Sequence, residues 1–239
     1  MEETLPALPV QQPFVWVFRD REDAGRQLAQ RLGRYRLERP IVLALPRGGV
    51  PLAYQVAEAL AAPLDVLPVR KLGCPGRSEI GIGAIALDGE PIWDWQAMRT
   101  LRVSEVDLAQ IEAGERLELE RQRRLFRGDR PMPDLRGRTV IIVDDGLATG
   151  ATARAAIQAV RSLGAKRLVL AVPVGAPDAV AALWQQVDDL VCLVCPAPFI
   201  AVGLWYRDFG PVPDATVITL LERAGRRMDG ERPAGGRYE

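Results

Sequence analysis

The 239-residue chain contains no histidine. That removes His-centred catalytic triads and imidazole metal ligands at once. Cysteine is scarce, occurring only at Cys74, Cys192 and Cys195. An odd, sparse count suits a reducing compartment and argues against a disulfide framework. Cys192 and Cys195 have redox or zinc spacing, but there is no second pair or histidine to complete a zinc site. Their segment also reads as a strand, whereas a redox pair caps a helix N-terminus, so buried structural thiols are expected. Net charge is missing as well, since 31 basic residues balance 31 acidic ones. That balance argues against a nucleic-acid partner. Lysine is nearly absent, present only at Lys71 and Lys166, which makes each conspicuous among the arginines. No apolar run reaches membrane-spanning length, and the acidic, Pro-rich start does not resemble a signal peptide. A cytoplasmic protein is expected.

What is present alternates in period. Asp20–Leu32 shows helical spacing through Ala24, Leu28 and Leu32, with Asp20 as N-cap. Ile41–Leu45 is a short apolar strand, broken by Pro46-Arg47-Gly48-Gly49, and Val50–Leu60 reads as a helix. Leu64–Val69 is a strand, Leu72–Arg77 a Gly/Pro loop, and Ile80–Leu87 a strand. Ser104–Phe126 is a long charged helix with apolar points at Val106, Ile111, Leu117 and Leu125. Its Arg121, Arg123 and Arg124 are read as a solvated face paired with nearby glutamates. Ala151–Leu163 and Pro177–Gln186 read as helices, and Lys166–Val172 and Leu190–Val194 as strands. Strands alternating with helices imply crossovers and a mainly parallel sheet, with ligands at its carboxyl edge. Residues 1–13 are expected to form a flexible arm, 14–222 the domain and 223–239 a flexible tail rich in Arg and Gly.

One run stands out: Val140-Ile141-Ile142-Val143-Asp144-Asp145-Gly146-Leu147-Ala148-Thr149-Gly150-Ala151-Thr152. Four β-formers deliver two carboxylates to the sheet edge. A Gly/Thr-rich turn then opens a helix, where free backbone N–H groups and the helix dipole favour a phosphate monoester. The neighbouring carboxylates suit ribose hydroxyls or a hydrated Mg²⁺. A sugar phosphate satisfies both halves. The bland alternative is a buried strand and a capped helix, which has no need of both acids. The run lacks the Gly-Lys-Ser/Thr ending of a Walker A loop and differs from the Rossmann fingerprint.

The thirteen-residue run resembles the phosphoribosyl-pyrophosphate (PRPP) loop of the type I phosphoribosyltransferases. Three further segments resemble that family in the right order. Pro46–Gly49 is similar to the pyrophosphate loop, where a non-proline cis peptide would fall near Arg47. Val69–Gly76 is similar to the approach to the family's flexible catalytic loop, with Arg77, Ser78 and Glu79 on the mobile part. Phe199–Asp208 is similar to the part of the base-binding hood that purine branches keep. The resemblance covers roughly residues 14–222. It implies an α/β fold of that type: a central, mainly parallel sheet flanked by helices, a small hood from parts of 14–33 and 196–215, and the long inserted helix.

By that resemblance, PRPP would bind as its Mg²⁺ complex. Asp144 and Asp145 would hold ribose hydroxyls and the metal. Thr149, Gly150, Ala151 and Thr152, with Gly146 and Ala148, would cradle the 5′-phosphate. Arg47, Gly48, Gly49, Arg70 and Lys71 would face the pyrophosphate. Phe199, Trp205 and Tyr206 would stack on a base that Asp208 reads by hydrogen bonding. Catalytic work would fall to Asp144, Asp145, Lys71 and Glu79, with transfer to a small-molecule nitrogen acceptor, a nucleobase, and release of pyrophosphate. Ala148 stands where the hypoxanthine-guanine branch has an Asp, and Ala171–Gly175 lacks that branch's 6-oxo-reading Lys. A 6-oxopurine is therefore disfavoured, and Glu79 is the nearest stand-in for the adenine branch's loop acid. The family also contains PRPP- or nucleotide-sensing regulatory proteins, the alternative function, and a homodimer is the family habit.

Overall fold

A computed structural model describes residues 17–230 apart from Asp88, and the side chains of these except at 78, 79 and 228–230. The elements run α1 (Arg21–Leu32), β1 (Ile41–Ala44), α2 (Gly49–Leu60), β2 (Leu64–Val66), β3 (Val69–Cys74), β4 (Arg77–Ala86), β5 (Ile92–Trp93), α3 (Trp95–Leu101) and α4 (Glu105–Arg127), followed by β6 (Thr139–Val143), α5 (Ala151–Ser162), β7 (Arg167–Val174), α6 (Pro177–Trp184), β8 (Asp189–Val194) and α7 (Asp214–Gly230). Short 3-10 turns occupy Gly33–Glu38 and Val202–Trp205.

The main sheet has the order β2-β1-β6-β7-β8 and every pairing is parallel. Its strands are nearly all apolar because both faces are covered. Val42, Ala44, Ile141, Val143, Val169 and Ala171 join one core with α1, α2 and α7. Ile41, Leu43, Val140, Ile142, Leu168 and Leu170 join a second core with α5, α6 and the antiparallel sheet. The alternation follows the two-residue period of a strand, so one register sets both cores.

β3, β4 and β5 form a separate small antiparallel sheet that serves as the hood, which was expected instead from parts of 14–33 and 196–215. The expected loop at Leu72–Arg77 is instead a hairpin, with β3 running to Cys74 and β4 starting at Arg77. Gly76 at φ 66° supplies the left-handed turn residue,. Arg77, Ser78 and Glu79 therefore lie on a strand, because backbone pairing to β3 outweighs the Gly/Pro signal. The short β5 and α3 follow, and Asp94 caps α3 by accepting from the N–H of Gln96 and Ala97.

The tail also departs from expectation. α7 continues the chain as helix to Gly230 where a flexible tail was expected from 223, packing Val217 and Leu221 into the first core, with Arg227 donating to the Glu58 and Ala57 carbonyls at 3.3 Å. The arm at 1–13 and residues 231–239 lie outside the described residues. On α4, Ser104 and Asp107 form a capping box. Two of the expected apolar points, Val106 and Leu117, are exposed, and Leu119 and Phe126 take the buried positions. The Arg cluster does pair along the helix, Arg121 with Glu118 and both Arg123 and Arg124 with Glu120.

Candidate active site at the carboxyl edge of the sheet

β6 ends at Val143 and hands the chain to Asp144 and Asp145, both part-buried. The Asp145 N–H donates to Asp144 Oδ1 at 2.8 Å. Leu147 then bridges to Gly175 beyond β7, which fixes the turn. Gly150 stands at the N-cap of α5 with φ 74°, a conformation that suits glycine,. It brings no capping side chain, and of the first-turn N–H groups of α5 that of Ala151 donates to the Thr149 hydroxyl oxygen at 3.4 Å,. Ala148 and Thr149 are exposed at the lip of this turn.

The loop after β1 packs directly on these acids. A Cβ at Gly48 would lie 2.0 Å from Asp145 Oδ2, and one at Gly49 would lie 2.5 Å from the Val143 carbonyl oxygen. The Pro46–Arg47 peptide is cis, where the resemblance put it. Arg47 turns to Asp214, with Nη1 3.5 Å from Oδ1. The structure thus joins the two expected ligand loops, 46–49 and 144–152, at one edge.

Arg21 holds that edge, and the sequence offered no local signal for it, since its partner lies 124 residues away. Its Nε and Nη2 each lie 2.9 Å from Asp145 Oδ2, and its Nη1 donates to the Gly210 carbonyl at 2.8 Å. The guanidinium carbon sits 3.8 Å above the Phe209 ring, a cation–π contact,. Burial raises Asp144 well above the ordinary carboxylate range, and the Asp145 charge adds to this. Burial also raises Asp145, opposed by Arg21.

The remaining expected residues divide. Lys71 lines a cavity with Thr149 and Ala151, close to the phosphate turn. Arg70, on the opposite face of β3, is drawn away to Glu115 of α4, Nε to Oε2 2.6 Å, because strand alternation sends neighbours to opposite sides,. Glu79 lies on β4, and its side chain is outside the described ones. Phe199 and Trp205 are half-buried against the first core. Tyr206 is not a stacking platform: it is 2% exposed, and its hydroxyl donates to the Asp145 carbonyl at 2.6 Å. Its ring packs between Phe18 (5.4 Å) and Phe209 (4.9 Å). Asp208 accepts from the Gly210 N–H at 3.2 Å, closing its own turn.

The cysteines are all free. Cys192 is half-buried, and desolvation followed by the neighbouring Cys195 pushes its thiol up to about 12. Cys195 is exposed rather than buried as expected. No cluster of three or more Cys, Asp or Glu fit for a metal occurs among the described residues. No helix among them is long and apolar enough to cross a membrane.

The chain is similar to several known proteins. A Mycobacterium tuberculosis protein named "Putative phosphoribosyl transferase", found in two strains, is 48% identical over 210 residues, which is 88% of this chain and 47% of its own length. The chain therefore spans about half the length of these curated relatives. A uracil phosphoribosyltransferase of Lactobacillus gasseri is 47% identical over 58 residues, 24% of this chain and 28% of its own length. The crystal structure of TT1426 from Thermus thermophilus superposes with a TM-score of 0.71 at 42% identity, covering 86% of this chain and 98% of that one. The family model described as the phosphoribosyl transferase domain matches residues 19–203. With a strand-borne acid pair, a Gly/Thr turn opening a helix and a glycine loop packed against the acids, the chain belongs to the phosphoribosyl transferase domain family.

Proposed function

We propose that the chain transfers the 5-phosphoribosyl group of Mg-PRPP to a ring nitrogen of a nucleobase-type acceptor and releases pyrophosphate. The observation that carries this reading is the contact of Gly48 and Gly49 with Asp145 and Val143, which joins a ribose-binding acid pair to a second anion-binding loop. A simple phosphate-monoester binder needs only the turn at 146–152. PRPP carries an anion at each end of its ribose and needs both loops.

The roles follow from position. The first-turn N–H groups of α5 and the Thr149 and Thr152 hydroxyls hold the 5′-phosphate. Asp144 and Asp145 accept hydrogen bonds from the ribose hydroxyls. The backbone at Arg47–Gly49 and the Lys71 ammonium meet the pyrophosphate, where negative charge grows as the anomeric C–O bond breaks. The bonding pair leaves with the pyrophosphate, the acceptor nitrogen forms the new bond, and its proton passes to a base. Glu79 remains our candidate for that base.

The donor set fits a magnesium ion carried by the substrate. Asp144 has one oxygen engaged by a backbone N–H, and Asp145 has one held by Arg21, so two carboxylates stand at the edge without a closed cage. Magnesium is commonly held in this way, by one or two carboxylates plus substrate oxygens and water. When bound it neutralises the leaving group.

One observation favours the sensing alternative. The hairpin that approaches the site closes in a tight turn at Pro75–Gly76, which leaves little length for a lid over the reacting carbon,. Calorimetry with Mg-PRPP, followed by a nucleobase panel with pyrophosphate detection, separates the two. Binding with base-dependent pyrophosphate release supports the transferase, whereas binding without release across a complete panel supports the sensor. Asp145→Asn combined with Thr149→Ala should abolish PRPP binding with the circular dichroism unchanged. Retained affinity in that variant would overturn the site.

A further inference from the structure

α4 runs for 23 residues, about 35 Å, and the chain covers only one of its faces,. Leu108, Ile111 and Leu119 pack on the second core, and Leu125 and Phe126 on the first. The opposite face carries Val106, Ala109, Gln110, Ala113, Gly114 and Leu117, all exposed. Val106 is 67% exposed and Leu117 75%. Positions three and four apart share one side of a helix, so these residues form a continuous stripe. A solvated helix face normally carries charge there.

Gly114 lies at the middle of the stripe with open space before it. A Cβ there would meet nothing within 4 Å, so no contact inside the chain asks for glycine. Glycine in a helix interior is destabilising relative to alanine. Beside Ala113 it leaves a shallow place where a second helix can approach closely.

The charge along α4 says what covers this face. Residues 105–115 hold four acids and no base, whereas 116–127 hold five arginines and two glutamates. The helix dipole explains such a bias only in the first and last turns. Glu112 and Glu115 are engaged by Arg116 and Arg70. Glu105, at the acidic end, makes no ion pair among the described residues. At the basic end Arg123 and Arg124 share the single carboxylate of Glu120, and the Arg124 side chain is 74% exposed. The stripe is thus acidic at one end and basic at the other.

A partner bearing the same stripe in the opposite direction satisfies both ends. A second copy of this chain, turned about a two-fold axis at Ala113 and Gly114, is such a partner. Leu117 of each copy then lies over Val106 and Gln110 of the other, and Arg121 and Arg124 of each reach Glu105 and Asp107 of the other. Parallel pairing would set like charges side by side. The geometry points to α4 as a self-association face, on which two copies pair antiparallel through this stripe. The inference concerns which face pairs and rests on no reading of the ligand site. One helix pair lies at the low end of interface size, so the dimer is a micromolar one.

Sedimentation equilibrium of the full chain without ligand tests this. A dimer should form with a Kd of about 100 µM or tighter. Leu117→Glu changes an exposed position to a good helix former, and should raise Kd about tenfold or more with circular dichroism unchanged. Glu105→Arg should raise Kd about threefold or more, and adding Arg124→Glu should return it to within about twofold of the unmutated chain. That rescue separates a charge pair between copies from a general loss of helix stability. If Leu117→Glu fails to fold, the charge reversals decide. A chain that stays monomeric at about 200 µM would leave the face to a different partner and overturn the inference. A dimer that Leu117→Glu does not weaken would pair through another face and overturn it too. So would a Glu105→Arg effect that is absent or is not rescued by Arg124→Glu.

Discussion

Replacing Gly48 with alanine adds one methyl group at the most crowded point of the site. The backbone at Gly48 has φ −58° and ψ −38°, which alanine adopts without strain,. The whole effect is therefore steric. The new Cβ would lie 2.0 Å from Asp145 Oδ2, and its three nearest atoms all belong to that carboxylate. An ordinary contact needs about 3.5 Å, so the oxygen must retreat by about 1.5 Å. The same oxygen receives Arg21 Nε and Nη2 at 2.9 Å, so both contacts stretch beyond hydrogen-bond reach,. Hydrogen bonds to charged groups are worth about 1.5–3 kcal/mol. For a chain of this length that lowers Tm by roughly 3–12 °C. On the proposed reading of Asp145 as a ribose-binding acid, Mg-PRPP affinity should fall about tenfold or more. Differential scanning fluorimetry and calorimetry read the two effects. The decisive step is a cycle with Asp145→Ala, which removes the atoms in the way. In that background Gly48→Ala should be neutral within about 0.5 kcal/mol. Equal costs in both backgrounds would refute the reasoning.

Two other expectations follow from the same geometry and chemistry. Because burial raises Asp144 and Asp145, the acid pair contributes stability to the unliganded fold at low pH, and this is lost as pH rises through the raised values,. A magnesium-bearing ligand favours the charged carboxylates, so Mg-PRPP binding should tighten as pH rises and release protons. Calorimetry in buffers of different ionisation enthalpy should show that release where the raised carboxylates are still protonated and its decline as pH rises beyond them; affinity that stays flat or falls would count against it. In the core, Arg127 is 2% exposed at its side chain and lies 3.3 Å from Asp65 Oδ2. Arg127→Met should cost about 3–5 kcal/mol in urea denaturation by stranding that carboxylate, and adding Asp65→Asn should recover part of the loss; no recovery would contradict the pairing.

The acid pair at the strand end, the Gly/Thr turn that opens a helix and the mainly parallel sheet were legible because each is written in consecutive residues. Val140–Val143 is apolar on both faces, and the acids, glycines and threonine follow at once. The hairpin escapes sequence reasoning because Gly73-Cys74-Pro75-Gly76 carries local loop signals, while the pairing that makes Gly73 and Cys74 strand comes from Gly81 and Arg77 across the turn,. α7 escapes it because its Arg- and Gly-rich composition resembles a solvated tail, and only contact with the first core makes it a helix,. Tyr206 reads as an exposed aromatic in a hood. Its burial depends on Phe18, almost the whole chain away. Arg21 escapes it as well, because nothing near it in sequence announces its partner.

The bonds that brace the acid pair also impose an order of assembly. Arg21 finds Asp145 only after 124 further residues, and Tyr206, which supports the Asp145 carbonyl, comes 61 residues later still. The five main-sheet strands are all made by Val194, before Tyr206 is added. At about 5–20 residues per second, the ribosome holds the chain for roughly 3–12 s between Asp145 and Tyr206. Over that interval the growing chain can lay down its scaffold but has no finished pocket. The bracing of the acid pair comes late, when the segment around Tyr206 docks beneath the loop it steadies.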